Sequence, residues 1–175
     1  MTQPSEAERV RSYILTQANK LTLPDLVAKV RADTAPLRAA AEAVPAARLF
    51  DRPSPTDWSA AEVLTHILDM NDHGAASITG ILDGGGVPAT VRDLMTGGTR
   101  THLSNAAGYW AAYEARRESL LSRVLEARGD EHLHVTITHQ TFGSFSWREW
   151  LLFMRVHDLD HMRQLDALAA YFAGQ

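Results

Sequence analysis

The sequence predicts an all-α protein: a four-helix bundle with an N-terminal helical extension and a small β element before the last helix. Three observations carry this. Helix-start signals of the form Ser/Thr-x-x-Asp/Glu occur at Ser5/Glu8, Thr22/Asp25, Ser59/Glu62 and Ser146/Glu149. In each, the hydroxyl can accept from first-turn amides while the carboxylate reaches back to the cap. Apolar residues follow each signal at three- and four-residue spacing, the period of one helix face. The period falls to two over Leu133, Val135 and Ile137, which alternate with His134, Thr136 and Thr138 and read as one short strand.

In chain order, the Ser5 signal opens an extension over residues 1–20, and residues 21–175 form the bundle core of a single domain. The first long helix is expected from about Pro24 to Val44, with Leu23, Leu26, Val30, Leu37, Ala40 and Val44 along its seam. Pro36 lacks an amide donor, so a kink is expected there rather than two separate helices. Pro45, Pro53 and Pro55 mark a connecting loop. The second helix runs from Ser59 to Leu82, with Val63, His66, Met70, His73, Ser77 and Ile81 on one side. Gly84, Gly85, Gly86 and Pro88 end it. A loose segment follows to Arg100, interrupted by an apolar patch at Val91, Leu94 and Met95. The third helix is expected over Leu103 to Arg128, with Trp110, Tyr113, Leu120 and Val124 inward and Gly129 as its stop. After the strand, Phe142 to Phe145 reads as a second extended piece turning at Gly143. The last helix covers Trp147 to about Phe172, with Trp147 and Trp150 expected to pack the bundle, or one of them to wall a pocket.

Composition narrows the functional classes. The chain has 175 residues, 45% apolar and 22% charged, enough to bury a core and too apolar for wholesale disorder. Lys and Arg number 17 against 21 Asp and Glu, which argues against a phosphate-backbone binder and thus against a nucleic-acid partner. There is no cysteine, so disulfides, thiolate metal sites and Cys nucleophiles are excluded. No apolar run approaches the ~18 residues of a membrane span, and no leader-like apolar region opens the chain. A cytoplasmic setting without a membrane partner is the expectation. Neither a Gly-x-Ser-x-Gly elbow nor a phosphate-cradling glycine loop with its lysine is present. Any metal or acid–base chemistry leans on the eight histidines.

His157 and His161 are spaced i, i+4, which on a helix stacks two imidazoles one turn apart on one face. The residue after His157 is Asp158, so the zincin His-Glu-x-x-His pattern does not apply. Taken alone, the pair reads equally well as two core histidines held by hydrogen bonds. His66 adds to it, because its place on the second helix's seam, between Val63 and Met70, points a third imidazole inward. Three unpaired buried imidazoles would each cost roughly 1–3 kcal/mol, a cost that one shared cation removes. Three histidines with a position left open also describes a catalytic site rather than a closed structural one. Zinc or nickel suits imidazole, and iron is acceptable.

The stretch Asp57 to His73 (DWSAAEVLTHILDMNDH) and the stretch His139 to Leu165 (HQTFGSFSWREWLLFMRVHDLDHMRQL) resemble the DinB/YfiT-like family of metal-dependent enzymes. The resemblance extends to the helix and loop of Leu23 to Pro55 and covers most of residues 20–170. It implies a four-helix bundle, in agreement with the periodicity. It also implies a metal site of one histidine from the second helix and two from the His-x-x-x-His of the last: His66, His157 and His161 here. Some relatives use such a site to activate a low-molecular-weight thiol for S-transfer or isomerisation, and others resemble hydrolases.

Around the metal, Asp33 and His73 are the candidate proton-handling residues. Asp33 falls where the first helix's seam would continue, so it is either a partner or base for a ligand histidine or a half-exposed carboxylate at the kink. His73 lies two turns beyond His66 on the same face, at the pocket mouth or buried and hydrogen-bonded. Asp158 and Asp160 flank the ligands and are expected to face solvent or a salt bridge. Arg116 and Arg117 read as a solvated face, with reception of an anionic substrate as the alternative. His132 and His134 are expected at the surface and His139 in a structural place, while His102 has no assignable task.

The functional expectation is a divalent-metal-dependent enzyme on a small-molecule substrate, foremost a thiol-dependent S-transferase with an external thiol. A metal-dependent hydrolase and a non-catalytic, metal-stabilised bundle are the alternatives. Apolar residues left over on the first and third helices suggest a homodimer.

Overall fold

The computed structural model describes residues 4–84 and 102–174. Its helices are α1 (Glu6–Lys20), α2 (Leu23–Ala32), α3 (Thr34–Ala43), α4 (Ala60–Gly84), α5 (Ala106–Leu125) and α6 (Trp147–Ala173). A short 3-10 turn, Ala46–Arg48, precedes α4. The strands β1 (Thr136–His139) and β2 (Gly143–Ser146) pair antiparallel immediately before α6. The expected Gly85–Gly86 stop and the patch at Val91, Leu94 and Met95 lie outside the described residues.

All four start signals operate as caps. Ser5 and Glu8 close a reciprocal box on α1, as do Ser146 and Glu149 on α6. The Thr22 hydroxyl accepts from the Asp25 amide, and the Ser59 amide donates to Glu62 at 2.8 Å. The hairpin turns where expected: Gly143 has φ +77°, a region that penalises any residue with a Cβ.

The first long helix is corrected. It is two helices, α2 and α3, parted at Asp33. Pro36 explains the position, because its ring clashes with the carbonyl four residues back, that of Ala32, where α2 stops. The third helix is also shorter than expected, ending at Leu125 rather than near Arg128.

Helix α6 packs against α1, α2, α3 and α4, and α4 also packs against α5. Two apolar cores result among the described residues. One joins Ile14 of α1, Leu26 and Val30 of α2, Ile78 and Ile81 of α4, Leu121 of α5, Phe145 of the hairpin and residues 150–154 of α6. The other joins Leu37 of α3, Val63 and Ile67 of α4, Tyr109 and Tyr113 of α5, and Leu165 and Leu168 of α6. Asp33, Arg117 and residues 155–161 of α6 fall between these two sets in sequence. A polar belt therefore crosses the bundle at mid-height, and the site sits in it.

Below the belt, α4 and α6 approach closely at Gly74, where an added Cβ would collide with Met154 Sδ. Met154 is itself buried, so Gly74→Ala is expected to lose about 1–3 kcal/mol through overpacking. Denaturant unfolding of the variant measures this.

Candidate metal centre

Helix α4 supplies His66, buried at 4% exposure, and α6 supplies the half-buried His157 and His161 one turn apart. The Nε2 atoms of His66 and His157 stand 2.9 Å apart, and one nitrogen from each of the three rings lies within 4.8 Å of the others. Two imidazoles sharing one ion at ~2.0–2.1 Å per bond, at right to tetrahedral angles, hold their nitrogens ~2.9–3.4 Å apart. The spacing thus fits a shared divalent ion. Without one, a ring must donate its proton to the other.

The far sides of the rings are held. The Oε1 of Gln164, one turn on, accepts from His161 Nδ1 at 2.9 Å, which puts the proton on Nδ1 and leaves Nε2 its lone pair. Asp158 Oδ1 faces His157 Nδ1 at 3.6 Å. Burial lowers the pKa of His161 below its ordinary 6.5, and the neighbouring His157 adds to this. Trp58, at the end of the loop before α4, covers two of the rings. It lies parallel to His161 with ring centres 6.2 Å apart, and edge-on to His66 at 5.2 Å.

Behind His157, Asp158 is fully enclosed. It takes an ion pair from Arg117, 1% exposed, and a hydrogen bond from the Tyr113 hydroxyl at 2.8 Å. Burial, the largest influence, raises the Asp158 carboxyl, but the Arg117 guanidinium, His157 and Tyr113 together outweigh it, so the group stays below its ordinary range. The same burial, with Asp158 beside it, pushes the Tyr113 phenol far up. This corrects the expectation of a solvated Arg116–Arg117 face: only Arg116 is outside, paired with Asp72 at 2.6 Å. Asp158 does make a salt bridge, but in the interior rather than toward solvent.

The other candidates spread out. Asp33 caps the end of α2 and pairs with Arg155 at 2.5 Å. His73, about 10 Å of helix rise beyond His66, is half-buried, with its Nε2 enclosed and without a hydrogen-bond partner among the described residues. His102 Nδ1 bonds the Thr65 hydroxyl at 2.7 Å. His132 and His134 are partly or fully exposed, while His139 is buried beside Phe153 and Phe142. Trp147 and Trp150 are wholly enclosed in the core.

Burial lowers the pKa of His73, so the unfolded chain takes up a proton there before the folded one does. Stability is therefore expected to fall as pH drops below the ordinary 6.5 toward the lowered value, and His73→Gln to flatten that slope. Denaturation midpoints between pH 7.5 and 5.5 report it.

The three histidines open onto a cleft of about 1040 Å³. Its walls are α6, the loop carrying Trp58, the hairpin at Thr141 and Phe142, and α1 at Val10 and Tyr13. The N-terminal helix is thus a wall of the site. Trp58 and the Asp158–Arg117 pair were not recognised from sequence. The only available signal was the tryptophan immediately before the Ser59 cap and the aspartate beside a ligand.

A search of curated proteins finds no match to the chain. The family model of the DinB superfamily matches residues 29–165, which contain all three histidines. On that match, spanning most of its length, the chain belongs to the DinB superfamily.

Proposed function

We propose that the protein is a divalent-metal-dependent enzyme acting on a small molecule, as a thiol-dependent S-transferase. The observation that carries this reading is the convergence of His66, His157 and His161 on the wall of a cleft large enough for a substrate. The described cluster contains no carboxylate. Three neutral imidazoles add no charge, so the charge of a divalent ion is left for an anionic ligand. The chemistry such an ion supplies is acidification of a bound thiol or water. Because the chain has no cysteine, the thiol comes from outside.

This chain's own residues prepare the site. His66 and His157 present Nε2 to one point, and Gln164 keeps the proton of His161 on the far nitrogen. Asp158 faces His157 from behind, its charge kept by Arg117 and Tyr113. Trp58 shields two rings from water on one side.

The test is cobalt-loaded protein titrated with 2-mercaptoethanol. The reading expects saturable sulfur-to-cobalt absorption. A spectrum indifferent to thiol but responsive to pH, together with ester cleavage, would favour the hydrolase instead. Indifference to both would leave a metal-stabilised bundle.

A further inference from the structure

We propose that Arg155 and Tyr13 form an anion subsite in the same cleft, receiving a carboxylate of the small molecule whose reacting group lies at the histidines. The proposal rests on reading the cleft as a substrate site. Arg155 lies two residues before His157 and lines the cleft, as does Tyr13 from α1. The Arg155 Nη1 donates to the Tyr13 hydroxyl at 3.1 Å. A phenol that accepts in this way keeps its own proton to donate onward, and a guanidinium carries five N–H donors. The two together present convergent donors to an anion.

Asp33 holds the guanidinium from behind. Its carboxylate faces Arg155 Nε at 2.5 Å, and it borders a cavity of about 10 Å³ on the interior side with Tyr113 and Asp158. That cavity is about the size of one water. Asp33 thereby fixes the direction of Arg155 and becomes a positioning residue for it. A purely structural tie explains less. Tyr13 is 37% exposed at the cleft mouth, and a hydrogen bond to an exposed phenol adds little to folding. The matched family segment begins at residue 29, after α1, so this wall is contributed from outside that segment.

The test uses the full chain and two probe pairs, each an anion beside its uncharged counterpart. Glutarate and glutaramide are titrated into metal-free protein by calorimetry. On cobalt-loaded protein, 3-mercaptopropionate and 2-mercaptoethanol are compared by sulfur-to-cobalt absorption. The anionic probe of at least one pair is expected to bind about tenfold more tightly than its counterpart. R155Q abolishes that preference, R155K keeps part of it, and Y13F lowers it about threefold. Preference confined to the thiol pair assigns the carboxylate to the thiol, and preference confined to the glutarate pair assigns it to the acceptor. Equal binding within both pairs, or a preference that survives R155Q, overturns the proposal. Failure of cobalt uptake or of the sulfur absorption defeats the metal and thiol reading instead, and the glutarate pair still decides the subsite. Circular dichroism checks the fold, and Y13F, at an exposed position, keeps the question decidable should R155Q unfold.

Discussion

Asp158→Ala is expected to cost about 3–5 kcal/mol of folding stability, because it strands the Arg117 cation in the interior. Arg117 is 1% exposed, and Asp158 is its ion-pair partner. The pair itself need not be a net gain, since two desolvated charges repay their burial only with good geometry. Arg117→Met combined with Asp158→Leu is therefore expected to recover most of the loss in denaturant unfolding. Metal affinity should not recover with it. Asp158 faces Nδ1 of His157, and losing such a partner behind a ligand typically costs 10–100-fold in affinity. Stability restored while affinity stays low would show that the carboxylate orients the ligand as well as balancing a charge. Affinity restored together with stability would assign it to packing alone.

Replacing any one of His66, His157 or His161 with alanine is expected to weaken zinc or nickel binding by more than the 10–100-fold loss expected behind a ligand. The three rings are not equivalent for folding. His66 is the most buried of them, and His66→Ala leaves a void against Trp58 in the tight α4–α6 contact. His161 stands nearer the surface with Trp58 stacked over it, so His161→Ala is expected to lose metal with little loss of stability. Competition against a chromophoric chelator measures the affinities, with unfolding run on the metal-free proteins.

Much of the fold was legible because its signals are local. Capping boxes at Ser5, Ser59 and Ser146 need a span of only four residues to declare themselves, and each opens a helix. The grouping of the histidines followed from spacing on α6 and from the seam position of His66 on α4. The Pro36 effect was half legible. Its lost hydrogen bond marks the proline, but the ring's clash one turn back breaks the chain at Asp33. Arg117 was misread because adjacent arginines on a helix usually share a wet face. A rotation of about 100° per residue is enough to leave one outside on Asp72 and drive the other onto Asp158. Asp33 was read as a partner or base for a ligand histidine, or as a half-exposed carboxylate at a kink; it stands where the helix breaks, and its partner Arg155 is 122 residues away, which no local pattern names. The role of α1 as a cleft wall was invisible for the same reason.

The three histidines are proposed to hold one divalent ion. The direct measurement is metal content of untagged protein by plasma mass spectrometry, beside a His66→Ala, His161→Ala double variant. About one equivalent of metal is expected in the wild type, and its loss in the variant. A folded wild type that stays empty when offered zinc or nickel would contradict it, and the histidines would then be hydrogen-bonded groups of the core.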